Sequence, residues 1–166
     1  DACAYVIFGA TGNLATTKLL PALYHLDQAG RLRPGMRIIC SGRRPFAADE
    51  WLAQVRDAVT AKARGGLDET LFERFARRVE YFRGELEDPG LYQRLRERLD
   101  EEDASRVAFY MSIGPDQYGG VISYLGEAGL LSQERGWRRV VIEKPFGHDL
   151  SSAADLLSRE RPQPTK

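Results

Sequence analysis

The stretch Ala4-Tyr5-Val6-Ile7-Phe8-Gly9-Ala10-Thr11-Gly12-Asn13-Leu14-Ala15 decides the fold. Five apolar residues in a row, halted by glycine, predict a strand buried on both faces. After the glycines, Leu14, Leu19, Leu20, Leu23, Tyr24 and Leu26 fall at helical spacing, and Gly30 closes the segment. Pro21 inside that pattern predicts a kink or a late helix start. The join has the form G-x-x-G-x-x-A. Its first glycine permits a tight turn, its second lets backbone approach a pyrophosphate, and the small third residue lets helix and sheet pack closely. The helix N-terminus adds free N–H groups and a positive dipole end. Gly9, Ala10, Thr11, Gly12, Asn13 and Leu14 are therefore candidate cofactor-binding residues, although a structural turn without a ligand has the same local form.

The chain outside this unit repeats its alternation. Strands are expected at 37–42, 79–82, 106–111 and 139–143. Helices are expected from Asp49 onward, over 67–77, from Pro89 to about Asp100, and over 118–131. Pro89 suits a first helical turn because its missing N–H would be unpaired there. Apolar strands alternating with helices predict an α/β domain of the Rossmann type, doubly wound around a mainly parallel sheet. That domain is expected over 1–157, with an irregular tail over 158–166 containing Pro162 and Pro164.

The tip of the second strand bears on which dinucleotide is bound. A ribose 2′-hydroxyl is normally held there by Asp or Glu. This sequence has Ser41-Gly42-Arg43-Arg44. Two guanidinium groups suit a 2′-phosphate through planar, charge-assisted hydrogen bonds, which points to NADP; a solvated surface pair is the alternative.

Composition sets outer limits. The 166 residues are 43% apolar and 29% charged, with Lys plus Arg equal to Asp plus Glu at 24 each. That balance gives no reason to expect a nucleic-acid or acidic-membrane partner. No apolar run is long enough to span a bilayer, and the N-terminus lacks signal-peptide features, so a cytoplasmic location is expected. Cys3 and Cys40 lie in apolar strands and are expected as buried thiols. No metal-ligand spacing is present.

Several motifs together resemble the glucose-6-phosphate dehydrogenase family. They are Phe8 to Ala15 followed by Lys18-Leu19-Leu20-Pro21, Ser41-Gly42-Arg43, Phe109-Tyr110-Met111-Ser112 with Pro115 and Tyr118, and Glu143-Lys144-Pro145-Phe146-Gly147. The resemblance implies NADP-dependent oxidation of glucose 6-phosphate at C1, in the pentose phosphate route. It implies that the 9–14 turn cradles the pyrophosphate and that Arg43 binds the 2′-phosphate. Tyr118 would lie along the cofactor, and Lys18 would point toward the active cleft. Lys144 would reach both substrate and nicotinamide, with Pro145 carrying a cis bond.

Two departures from the family accompany these matches. Asn13 replaces the usual Asp, and is expected to cap the helix still. The family's Arg-Ile-Asp-His-Tyr-Leu-Gly-Lys segment, with its proton-accepting histidine, has no counterpart after Leu157. His25 and His148 do not substitute for it, so no catalytic residue is assigned. The expectation is NADP binding without turnover by this chain alone. A complementary catalytic-domain chain or self-association through exposed apolar surface would accompany it. A free-standing NADP-binding module or sensor is the alternative. The Tyr-x-x-x-Lys pair of catalytic reductase relatives is absent.

Overall fold

The computed structural model describes residues 2–63, 65–134 and 136–142. Strand β1 (Ala2–Phe8) leads through the glycine turn into a helix that begins at Asn13. That helix passes through a π turn over Ala15–Leu19 before continuing as α1 (Leu20–Gln28). The disturbance expected at Pro21 takes this form. Proline cannot donate a hydrogen bond and crowds the carbonyl four residues back; just before it, the Leu20 N–H reaches five residues back, to Ala15 O.

Next come β2 (Arg37–Gly42), α2 (Ala48–Thr60), α3 (Glu69–Arg78) and β3 (Val79–Arg83). The remaining elements are α4 (Pro89–Glu101), β4 (Ala104–Met111), α5 (Pro115–Glu127) and β5 (Trp137–Val141). Asp68 caps α3, accepting from the Thr70 and Leu71 N–H groups, and Asp88 caps α4, accepting from the Gly90 N–H. Helix α5 lies about three residues upstream of the expected 118–131. Pro115 sits in its first turn, and Gly129 at φ +76° lies just beyond its end.

All five strands are parallel, in the order β3-β2-β1-β4-β5. Alternate side chains of β1 serve two cores, as the pleat requires. Tyr5 and Ile7 pack with Leu20, Leu23, Trp51, Val55 and Phe75 from α1, α2 and α3. Ala4, Val6 and Phe8 pack with Leu91, Leu95, Val121 and Leu125 from α4 and α5. Covering both faces explains why the central strands carry almost no polar residue.

The chain winds from β1 out to β3, then crosses back to β4 on the other side of β1. Such reversals leave a crevice at the carboxyl edge of the sheet, where open α/β folds bind ligands. Cys3 and Cys40 are both buried. Among the described residues, no helix is long and apolar enough to cross a membrane, and no cluster could hold a metal ion.

Candidate functional site

A cleft of about 290 Å³ opens at that carboxyl edge. It is walled by the ends of four strands: Gly9, Thr11 and Gly12 after β1, Ser41 to Arg43 at β2, Gly84 to Glu87 after β3, and Ser112 and Ile113 after β4. Gln117 of α5 closes one side.

The floor is a turn that only glycine fits. Gly9 has φ +80°, and a Cβ there would stand 2.1 Å from the Ser112 carbonyl oxygen. Its N–H and that of Ala10 both donate to Ser41 O, at 3.1 and 3.0 Å, pinning the turn to β2. The first helical hydrogen bond runs from Thr16 N to Gly12 O at 3.1 Å. The N–H groups of Asn13, Leu14 and Ala15 precede it, so no carbonyl one turn back accepts from them. Such a terminus attracts anions. Asn13 does not cap the helix as expected. It lies inside the first turn, exposed, and Gly12 holds the position before it. The Thr16 and Thr17 hydroxyls turn back onto the Gly12 and Asn13 carbonyls instead.

The upper walls are fixed by hydrogen bonds to backbone. Tyr81 donates to Arg44 O at 2.6 Å, and Arg83 donates to Arg43 O at 3.3 Å. Gly84 N–H donates to Gly42 O at 2.9 Å, and Tyr92 donates to Leu86 O at 2.7 Å. Burial pushes both phenols above their ordinary range, with the Glu87 charge adding to the effect at Tyr92. Two hydroxyls of the cleft wall, Ser41 Oγ and Ser112 Oγ, are buried without a hydrogen-bond partner among the described residues.

The structure brings together part of the set read from sequence. Gly9, Thr11, Gly12 and Arg43 line the cleft. Ala10 is buried beneath the turn, and Leu14 is half-buried. Arg44 is exposed but does not line the cleft, and its carbonyl is taken by Tyr81. Tyr118 is half-buried against the α4–α5 core, whereas its neighbour Gln117 faces the cleft. Lys18 is exposed on the π turn and does not line the cleft. Lys144 and Pro145 lie outside the described residues. Sequence reading missed Glu85, Leu86, Glu87, Ser112 and Gln117. Their signal was position, immediately after strand ends and in the first turn of α5.

A family model described as the NAD binding domain of glucose-6-phosphate dehydrogenase matches residues 6–161. The chain belongs to the glucose-6-phosphate dehydrogenase family. It is 37% identical over 153 residues to glucose-6-phosphate 1-dehydrogenase of Dickeya dadantii, covering 92% of this chain and 30% of that one. With the Bacillus subtilis enzyme it shares 35% identity over 156 residues, covering 91% and 31%. The crystal structure of the Mycobacterium avium enzyme superposes with a TM-score of 0.76 at 34% identity, covering 93% of this chain and 32% of that one. A glucose-6-phosphate dehydrogenase in complex with glucose 6-phosphate gives 0.75 at 32% identity, covering 92% and 32%. The chain thus spans about a third of the length of these relatives.

Proposed function

We propose that this chain is the NADP-binding part of a glucose-6-phosphate dehydrogenase, holding the cofactor for oxidation of the sugar at C1. The observation that carries the reading is Arg43 on the cleft wall beside Gly42, at a strand tip that has no acid. An NAD site places a carboxylate there for the 2′-hydroxyl; a guanidinium instead suits a 2′-phosphate.

The cleft fits a dinucleotide on independent grounds. The Gly9 turn leaves room for a diphosphate bridge, and unpaired N–H groups at the helix start supply donors. The Ser41 and Ser112 hydroxyls have hydrogen-bonding capacity that the described residues do not use. A bound dinucleotide would supply the hydride acceptor for the sugar. The residues of this chain bind and orient the cofactor for that step: the 9–14 turn at the diphosphate, Arg43 at the 2′-phosphate, and Lys144 at substrate and nicotinamide. Tyr118 is proposed to lie along the cofactor, and Lys18 to point toward the active cleft. His25 is exposed on α1, its Nδ1 3.4 Å from Gln28 Oε1, and does not line the cleft, so it has no place in the proton transfer.

Titration of the chain with NADP and with NAD tests the reading. NADP is expected to bind at least tenfold more tightly, about one charge-assisted contact's worth. Equal affinities would remove the role given to Arg43, and binding of neither would remove the site.

A further inference from the structure

Several arginines of the fold are matched with acids. Arg37 and Arg98 share Glu80, Arg74 and Arg78 share Asp27, and Arg56 meets Glu69. Arg43, just past β2, and Arg83, the last residue of β3, are different. Both are exposed, and neither side chain makes an ion pair with a described residue. Glu85 and Glu87 line the adjoining cleft, yet neither pairs with them. Like charges gathered without a counter-charge repel one another, an arrangement that a bound anion relieves.

The two arginines are joined. Arg83 lies in register with Gly42 across the β2–β3 pair, and its Nε donates to Arg43 O at 3.3 Å. That bond uses Nε alone, and both Nη groups have no partner among the described residues. Arg83 is itself anchored: its carbonyl accepts from Arg94 Nη2 of α4 at 2.9 Å, and Arg94 Cζ stands 5.2 Å from the Phe82 ring centroid. Bonds from guanidinium to carbonyl thus run from α4 through β3 to the turn that bears Arg43. Gly84, the next residue, lines the cleft as Arg43 does, which puts Arg83 at its rim.

We infer that Arg83 is a second specificity-determining residue for the phosphorylated dinucleotide, acting in two ways. Through Nε it fixes the turn that presents Arg43, and through its unspent Nη groups it adds a second positive charge at the 2′-phosphate. A phosphate monoester carries about 1.5–2 negative charges at neutral pH, which one guanidinium offsets only in part. The inference rests on the dinucleotide reading above and adds to it a determinant on a different strand from Arg43.

The test titrates the native chain, Arg83→Gln and Arg83→Lys with NADP and with NAD at several salt concentrations. Because Arg83 is exposed, both variants are expected to fold, and thermal unfolding checks this. Arg83→Gln is expected to lower NADP affinity about tenfold, as loss of a hydrogen bond to a charged group does, and to leave NAD affinity unchanged. Its NADP affinity should also fall less steeply with salt than that of the native chain. Arg83→Lys keeps the charge without the Nε bond, so it should recover the salt dependence and part of the affinity. A purely structural arginine would lower the thermal midpoint and leave the NADP-to-NAD ratio and the salt dependence alone. An unchanged ratio in Arg83→Gln, or equal losses for both nucleotides, would overturn the role of Arg83 and leave that of Arg43 standing. Equal binding of NADP and NAD by the native chain would overturn the 2′-phosphate reading itself.

Discussion

Tyr81 holds the turn that carries Arg43, its hydroxyl donating to the neighbouring Arg44 carbonyl at 2.6 Å. The ring is wedged against Trp51 at 4.8 Å and Phe46 at 5.5 Å between centroids, so the hydroxyl has little freedom. A hydrogen bond of this kind contributes about 0.5–1.5 kcal/mol. Tyr81→Phe keeps the ring packing and frees the turn. Its thermal midpoint is expected to fall by roughly 2–4 °C. NADP affinity should drop severalfold while NAD affinity holds, since only the former uses the fixed guanidinium. Calorimetry and paired titrations check both outcomes.

Arg43 and Arg44 are adjacent in sequence but differ in position. Arg43 lines the cleft; Arg44 does not. Arg43→Ala is expected to weaken NADP binding by about 1.5–3 kcal/mol, roughly ten- to a hundredfold, the range for hydrogen bonds to charged groups. Arg44→Ala should have a small effect, because its contact with Tyr81 is made by the backbone. Raising the salt concentration should narrow the gap between native and Arg43→Ala proteins, as an exposed guanidinium requires. A larger loss from Arg44→Ala would reassign the 2′-phosphate contact.

Two glycines of the same turn separate folding from binding. At Gly9, φ is +80° and an added Cβ would meet Ser112 O at 2.1 Å, forcing the ends of β1 and β4 apart. Backbone strain and overpacking together put the cost of Gly9→Ala at about 3 kcal/mol. At Gly12 the added Cβ would lie 3.2 Å from Gly9 O, without a left-handed backbone. Gly12→Ala is expected to fold nearly normally yet bind dinucleotide at least tenfold less tightly, because the methyl occupies the path to the helix N–H groups. Urea unfolding and titration on both variants separate these effects.

The parts of this site legible in the sequence were those governed by local backbone rules. A glycine turn and a strand end can be read from a few neighbouring residues, which is why Gly9, Gly12 and Arg43 were found. Glu85 to Glu87 were not singled out, since nothing local signals that the Gly84 N–H pairs with the Gly42 carbonyl and brings them to the cleft. Tyr118 was named from the resemblance; Gln117 lines the cleft through the register of α5, set by Pro115, which no local pattern announces. The π turn was equally hidden: Pro21 announces a disturbance but not how the chain accommodates it.

Alkaline pH should destabilise the fold. Burial pushes the Cys40 thiol far above its ordinary 9.0, with Glu80 adding to it, and raises Cys3 despite the opposing charges of Arg33 and Arg106. Burial raises Tyr24 and Tyr92 from 10.0 likewise. In each case the folded state holds the proton more tightly than the unfolded chain does. Stability is therefore full below 9.0, the unfolded thiol value, and declines as pH rises past it, with the tyrosines joining above 10.0. Cys40 alone contributes a slope of about 1.4 kcal/mol per pH unit there. Urea unfolding on either side of these values should show the decline, and Cys40→Ala should make its first part shallower. A native thiol that reacts rapidly with a thiol reagent at neutral pH would contradict the burial argument.

At the opposite edge of the sheet from the cleft, Asp27 ends α1 as a buried carboxylate, 2% exposed. Arg78 donates from Nε to its Oδ1 at 3.2 Å, and Arg74 Nε stands 3.6 Å from Oδ2. The same Arg78 donates to the carbonyls of Arg33 and Met36, at 2.8 and 3.1 Å, so one guanidinium joins α1, α3 and the entry to β2. Removing one member of such a buried pair strands the other charge, and Asp27→Ala is expected to cost about 3–5 kcal/mol. Replacing both partners, Asp27→Leu with Arg78→Met, should recover part of that loss, since the one charge left without its carboxylate, Arg74, is half-exposed to solvent. The Met36 carbonyl then loses the Arg78 donor and the Arg33 carbonyl keeps only the Met36 N–H, so recovery stays incomplete. Because the pair lies at the far edge, the folded fraction of either variant should bind NADP with native affinity. Unfolding free energies and titrations separate stability from binding, and a change in Kd at full folding would place Asp27 in the site's support rather than only in the fold's.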